Sequence, residues 1–328
     1  MKTLVTGATG YIGSHICKHL QMQGHQVTGV DRVPREHTEK FMHEFLHADY
    51  ASTDMFDWLE TNLPDAVIHC AGTSLVGPSM IDPAEYHVNN VAKTAYFLAG
   101  LRELPNMPLF VFSSSAAVYG APDVETIHEN HPWAPMSPYG QSKAAIEIML
   151  ADYAMAYGAR VLSLRYFNAC GADVAGARLG QAPGATHIIA RLLEAQRDHK
   201  GFTLYGNDYS TPDGTCIRDY VHVDDIARAH VMALDYLQAS GRSGAMNLGS
   251  SRGYSNQEIV DAVARIIGPV DITIGPRRAG DPDRLVASND IATEALGWIP
   301  QHSELEIIIN SAWKWYNNPS LTIDDSSK

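Results

Sequence analysis

The sequence predicts an α/β fold: a doubly wound parallel sheet followed by a smaller, mixed α/β substrate-binding domain. Three observations predict it. The first half alternates short β-rich runs with longer amphipathic ones. Runs such as Leu109-Phe110-Val111-Phe112 are apolar throughout, as a strand covered on both faces requires. A glycine-rich turn joins the first of these runs to the first helical stretch.

In chain order, 2–6 reads as a strand, 11–23 as a helix and 26–30 as a second strand. Strand-length apolar runs recur at 66–69 and 109–113, with a helical pattern at 84–104 between them. Residues 139–157 read as a long helix leading to a strand at 161–165. After Asn168 the regularity breaks: glycine and proline punctuate 171–184, and helical pieces follow at 187–199, 255–267 and 304–316. A helix at 221–237 and a strand at 245–248 look like returns to the first domain. The expected division is therefore 1–168, with returns near 221–248, and 169–328 mainly as the second domain. The tail Asp324–Lys328 is expected to be disordered.

With 328 residues, 45% hydrophobic and 19% charged, the chain can bury a sizeable core and is not intrinsically disordered. Its net charge of −13 argues against nonspecific nucleic-acid binding. A phosphate-bearing ligand must then be met by local cations and backbone amides. Cys17, Cys70, Cys170 and Cys216 show no Cys-x-x-Cys spacing and read as reduced thiols of a cytoplasmic protein. The apolar run at the N-terminus is too short for a signal peptide, and no stretch approaches the ~20 apolar residues of a membrane span.

One metal motif is set aside. His43-Glu44-Phe45-Leu46-His47 spells the His-Glu-x-x-His zinc signature, which works only on a helix. A third strand is due here, and on a strand the two histidines stand roughly 13 Å apart. Zinc ligands must each reach within about 2.1 Å of one ion. No metal is expected.

Gly7, Gly10 and Gly13 lie in Thr6-Gly7-Ala8-Thr9-Gly10-Tyr11-Ile12-Gly13, between the first strand and the first helix. Glycines so placed permit a tight turn, close approach of a pyrophosphate, and close helix–sheet packing. The context is that of a Rossmann-like dinucleotide site, with Tyr11 and Ile12 opening the helix. Asp31 ends the second strand, where an acid can bind the adenosine ribose hydroxyls. Its charge would repel a 2′-phosphate, which favours NAD over NADP, although Arg32 and Arg35 stand nearby.

Tyr139 and Lys143 are one helical turn apart and share a face. To act as a base near neutrality, a tyrosine with a pKa near ~10 needs a shift of roughly 3 units, about 4 kcal/mol. A cation at ~4 Å supplies about 4 kcal/mol at an effective dielectric near 20. The pair is therefore expected to make a phenolate at working pH. Alone it is a common coincidence in a chain with 15 tyrosines.

Taken together, the glycine turn, Ser113-Ser114-Ser115 at a strand end and the Tyr139–Lys143 pair resemble the extended short-chain dehydrogenase/reductase family. The resemblance covers essentially the whole chain. It sharpens in Arg165-Tyr166-Phe167-Asn168, in the block from Tyr205 to Asp225, and in Arg277-Arg278-Ala279-Gly280-Asp281. That long block is similar to the one carried by UDP-glucose 4-epimerases.

The resemblance implies a base at Tyr139, an electrostatic partner and ribose ligand at Lys143, and a sugar 4-hydroxyl partner at Ser115. It places the adenine at Asp49 and Tyr50, further NAD contacts at Ala71, Gly72, Asn89 and Ser113, and Phe167 beside the nicotinamide. Asn168, Thr203, Tyr205, Arg218, Arg278 and Asp281 match positions that hold the UDP moiety. Leu285 falls where the family varies a residue lining the sugar pocket. Ser74 departs from the pattern, since many members have a cofactor-contacting lysine there. The implied activity is reversible C4 epimerisation of a UDP-hexose with tightly bound NAD. A homodimer built from the helices at 84–104 and 139–157 is implied in the same way.

Alternatives stay open at this stage. A 4-epimerase of UDP-N-acetylglucosamine or of UDP-xylose/arabinose is poorly separated by sequence. A 4,6-dehydratase needs an extra acid and base beside the serine, where Ala116 and Ala117 cannot transfer protons. A non-catalytic NAD-binding regulator has no need for Ser115, Tyr139 and Lys143 together.

Overall fold

In the computed structural model, residues 1–176, 178–278 and 281–318 are described, so Ala279, Gly280 and the tail from Pro319 lie outside the description. Strands β1 (Lys2–Thr6), β2 (Gln26–Asp31), β3 (Glu44–His47), β4 (Ala66–His69), β5 (Leu109–Ser115) and β6 (Val161–Tyr166) are joined by helical crossovers. Later come β7 (Asn168–Cys170), β8 (Phe202–Tyr205), β9 (Ile217–His222) and β10 (Gly244–Leu248), then β11 (Gly253–Ser255), β12 (Ile272–Gly275) and β13 (Arg284–Leu285).

Seven strands form one parallel sheet in the order β10-β6-β5-β4-β1-β2-β3. The order reverses between β1 and β4, so a crevice opens at the carboxyl ends of those two strands. Leu4, Val67, Phe110 and Phe112 face one side with the helices Thr53–Asn62, Lys93–Arg102 and Pro138–Tyr157. Val5, Ile68 and Val111 face the other, against Tyr11–Met22 and Val223–Ser240. Burial on both faces is why these strands carry no polar alternation.

Two expectations need adjustment and a third holds. The helix expected from residue 221 begins at Val223, because Val221 and His222 complete β9 and His222 caps the helix through the Asp224 N–H. The 84–104 stretch runs as Pro83–Tyr86, a π-helical turn over His87–Ala92, and Lys93–Arg102. The expected strand at 245–248 is found as β10, which pairs with β6 and forms the sheet edge.

The remaining strands build a smaller layer. β7, β11 and β13 all pair with β9, while β8 pairs with β12. Helices Ile188–Arg197, Asn256–Ile266 and Leu305–Tyr316 pack together beside them over Leu192, Ile259 and Ile308. His43–His47 lies at and along strand β3, with His43 Nδ1 accepting the Val27 N–H at 3.1 Å. Among the described residues no cluster of three or more metal-ligating side chains occurs. Among the described residues no helix is long and apolar enough to cross a membrane.

Candidate active site

The glycine turn leaves β1 through Gly7 at φ +68°, a conformation only glycine adopts without strain. A Cβ on Gly13 would stand 2.1 Å from the Gly7 carbonyl, so the helix meets the turn too closely for any side chain. Gly10 caps that helix with no side-chain cap, which leaves the first amides of Tyr11–Met22 available to an anion. Ile12 is half-buried behind them. Tyr11 turns the other way: its hydroxyl donates to the Gly171 carbonyl at 2.7 Å.

Asp31 accepts the Thr9 N–H at 3.2 Å through Oδ2, which fixes the carboxylate at the rim of the turn. Arg32 and Arg35 are exposed beside it. Asp49 is held by Lys93 at 2.5 Å and by the Ala51 N–H at 3.0 Å. Burial works against its charge, yet these donors keep its pKa below the ordinary value. Tyr50 is buried against His69 and Phe97 and donates to the Asn89 carbonyl at 2.7 Å. Only its backbone remains to meet an adenine. That carbonyl lies within the π-helical turn, a geometry that frees a backbone group.

Across the crevice, Ala71 donates its N–H to Thr6 Oγ1 at 3.2 Å, and Gly72 approaches Asn90 so closely that a Cβ would meet Oδ1 at 2.8 Å. Asn90 is buried and donates to Thr73 O and Ser142 Oγ, each at 3.0 Å. Ser74 is exposed.

Ser115 is the last residue of β5, and its Oγ accepts the Ala117 N–H at 3.2 Å. Ser137 caps the helix Pro138–Tyr157 through the Gly140 N–H at 3.1 Å, placing Tyr139 in its first turn. The Tyr139 phenol is buried, with the Ser115 side chain close enough to favour its ionised form. Lys143, one turn on, donates to the Ser113 carbonyl at 2.8 Å and lies over the Phe112 ring. Burial lowers its pKa to about 8, which leaves it mostly charged at neutrality.

Burial and geometry weigh against the expectation that Lys143 alone makes Tyr139 a phenolate. Burial pushes the phenol pKa up, the nearby Ser115 side chain offsets part of that, and Tyr86 adds to the rise. The ammonium stands 5.8 Å from the Tyr139 ring centroid and is committed to Ser113.

Two neighbours gave no signal in the sequence. Cys70 Sγ lies 3.0 Å from Ser113 Oγ, and His230 Nε2 lies 2.9 Å from the same hydroxyl. Both come from distant segments that only the sheet brings together.

On the far side, Asn168 donates to the Asp219 carbonyl at 2.9 Å, which ties β7 to β9. Arg218 stands 3.7 Å from Asp281, and Arg278 lies over the Tyr205 ring at 4.5 Å. Thr203, Tyr205, Arg278 and Asp281 line one small cleft, together with Arg191 and Asn256, which the sequence reading missed. Leu285 pairs with Arg218 and packs in one cluster with Ala116, Ala144 and Phe167. Ala116 and Ala144 adjoin Ser115 and Lys143 in the chain, and Leu285 is paired with Arg218, so the cluster has neighbours on both sides. A larger groove of about 710 Å³, framed by Arg252, Glu304 and Lys314, contains none of these residues.

Residues 3–249 match the family described as NAD dependent epimerase/dehydratase. The chain belongs to this family. The family's cofactor is NAD, and the glycine turn, with its uncapped helix and the cradle at Gly13, fits a dinucleotide. The chain is 41% identical over 321 residues to the UDP-glucose 4-epimerase of Halalkalibacterium halodurans, covering 96% of each chain. It is similar to the structure of UDP-glucose 4-epimerase from Brucella ovis in complex with NAD, at a TM-score of 0.91 and 42% identity, covering 95% of this chain and 97% of that one. It is also similar to UDP-glucose-4-epimerase from Stenotrophomonas maltophila with bound NAD and formylated UDP-arabinopyranose, at a TM-score of 0.91 and 35% identity over 96% and 97% of the two chains.

Proposed function

We propose that this chain inverts C4 of a UDP-hexose, interconverting UDP-glucose and UDP-galactose through a transient 4-keto sugar. The observation that carries the reading is the buried Tyr139 phenol with Ser115 and Lys143 beside it, on the same side as Leu285, which pairs with Arg218, and near the cleft lined by Arg278 and Asp281. A base, a cation and a diphosphate clamp are the parts such a reaction needs.

NAD held by the glycine turn and Asp31 would supply reversible hydride transfer at C4. Tyr139 takes the 4-hydroxyl proton through or beside Ser115 and gives it back on the return step. Lys143 keeps two N–H donors beyond its bond to Ser113, enough to hold a ribose hydroxyl and place positive charge near the phenol. Arg218 and Arg278 retain the diphosphate while the keto sugar turns over. Asp31 binds the adenosine ribose and disfavours a 2′-phosphate. Ala116 and Ala117 form the turn after Ser115, and their methyl groups offer no acid or base for a dehydratase.

Incubating the purified protein with UDP-galactose, without added NAD, should yield UDP-glucose. No conversion by protein that retains NAD would sink the reading. A second reading is epimerisation of UDP-N-acetylglucosamine or of UDP-xylose/arabinose, and one feature favours the N-acetyl sugar. Leu285 is neither bulky nor very small where it meets the sugar-side cluster.

We further propose a cytoplasmic homodimer. Val88, Tyr96, Ile148 and Met155 are exposed on the two neighbouring helical segments, with Met155 at 82%, and Val76, Met80 and Ile81 are exposed in the short helix and turn that precede them. So much apolar surface on adjoining helices suits a second copy of the chain. A monomer by sedimentation at micromolar concentration would refute this.

A further inference from the structure

Behind the reactive face of the helix Pro138–Tyr157 runs a buried polar chain that none of the chemistry above uses. Glu147, one turn beyond Lys143, accepts Ser114 Oγ at 2.5 Å and Arg165 through Nε at 3.0 Å and Nη2 at 2.6 Å. Arg165 stands on β6 directly opposite Ser114 on β5. Its other nitrogen, Nη1, donates to the Tyr119 hydroxyl at 2.7 Å and to the Glu129 carbonyl at 3.1 Å. The guanidinium also lies over the rings of Tyr119 and Trp133, 5.2 and 5.0 Å from their centroids.

The chain continues outward. Tyr119 donates to Asn247 Oδ1 at 2.8 Å, and Asn247 Nδ2 donates to the Ile127 carbonyl at 3.0 Å. Ile127 is itself stitched to the substrate side: its N–H donates to Val286 O at 2.8 Å, and its carbonyl accepts the Ser288 N–H at 2.9 Å. Val286 adjoins Leu285, which pairs with Arg218. Apart from the covalent run Tyr166–Asn168, this is a continuous link between the helix that carries Tyr139 and the strands that carry the diphosphate clamp. Because Tyr119 accepts from Arg165, its one proton is left for Asn247, so each bond fixes the direction of the next.

We infer that Arg165 and Tyr119 are positioning residues that set the distance between the Tyr139 base and the UDP clamp. The inference rests on the epimerase reading above. A keto sugar that must present either face to one base tolerates little change in that distance. Without the link, the clamp keeps its affinity for UDP, but C4 returns out of register. The whole UDP-4-keto sugar can then dissociate before the hydride is given back. The two electrons lost from C4 stay on the cofactor as NADH, and the proton stays on Tyr139.

The test uses the holoenzyme and Tyr119→Phe, which deletes the hydroxyl and keeps the ring. With UDP-galactose, kcat should fall at least about tenfold, while UDP affinity stays that of the wild type. Reduced nicotinamide fluorescence should accumulate over successive turnovers, with 4-keto sugar in solution. Wild-type kcat without that fluorescence would overturn the inference. So would a lost kcat that tracks a lowered Tm with no reduced cofactor, since that outcome describes a merely structural role. Should Tyr119→Phe fail to fold, Arg165→Lys must show the same signature, because lysine keeps the charge and loses the fork. A wild type that turns over no UDP-sugar would overturn the epimerase reading, and this inference with it.

Discussion

Lys143 spends its shortest hydrogen bond, 2.8 Å, on the Ser113 carbonyl and not on the phenol of Tyr139 one turn away. Burial raises the Tyr139 pKa, with Ser115 only partly offsetting it. For Tyr139 to serve as the base proposed above, positive charge from Lys143 must be joined by that of a bound cofactor.

This gives a titration with a definite sign. Protein stripped of NAD should hold Tyr139 as a neutral phenol beyond pH ~10, the free-tyrosine value. Reloading NAD should move its ionisation to lower pH. The tyrosinate absorbance difference between wild type and Tyr139→Phe reads both states. An ionisation near neutrality in the stripped protein would show that Lys143 suffices. Tyr139→Phe itself should lose at least about a hundredfold in kcat and keep its NAD, as general-base deletions do.

Cofactor identity follows from Asp31, whose carboxylate is pinned by the Thr9 N–H at 3.2 Å and cannot swing away without losing that bond. Denaturing the purified protein should release NAD(H) and little NADP(H). Mainly NADP(H) in the supernatant would shift the assignment to the exposed Arg32 and Arg35.

Leu285 should gate the sugar. It packs with Ala116 and Phe167, where an N-acetyl group at C2 would compete for volume. UDP-glucose and UDP-galactose are expected as the main pair, with slower turnover of UDP-N-acetylglucosamine. Discrimination by volume is worth about 1–3 kcal/mol. Leu285→Tyr should abolish the N-acetyl activity and spare the plain sugars. Unchanged turnover of both types would remove Leu285 from the specificity argument.

Acid stability should depend on Asp224. Its buried carboxylate is held below the ordinary range, despite burial, by His19 at 3.2 Å and the Val174 N–H at 3.1 Å. A depressed carboxylate contributes stability that is present above the unfolded pKa, ~3.9, and is lost as pH falls towards the folded one. Asp224→Asn should therefore cost about 1–3 kcal/mol near neutrality, and the gap to wild type should close at strongly acidic pH. A gap that stays constant with pH would mean that charge plays no part.

Much of the fold was legible because its signals are local. Gly7, Gly10 and Gly13 sit between a strand and a helix, and the apolar runs at β4 and β5 say that both faces are covered. The start of the helix Val223–Ser240 was misplaced by two residues because Val221 and His222 are apolar and aromatic in either element. The π-helical turn at His87–Ala92 leaves no mark in periodicity, since it shifts the register by one residue inside an otherwise helical pattern. At the site, spacing revealed Tyr139 and Lys143 but could not reveal what the ammonium prefers. That choice depends on where the end of β5 falls relative to the helix. Cys70, Arg191 and His230 were invisible for the same reason, each being ordinary until tertiary structure places it.

The return of the chain to β10 has a consequence for synthesis. The β6 edge is paired only when Met246 and its neighbours arrive beside Leu164, some eighty residues later in the chain. Until the ribosome has released that stretch, an apolar parallel strand stands with an open edge, a template for pairing with another chain. The helix Val223–Ser240, which covers one sheet face, emerges just ahead of β10. Completion of the cofactor sheet is thus a late event on the ribosome. Slowing translation between β6 and β10 should raise aggregation more than an equal pause placed after Leu248.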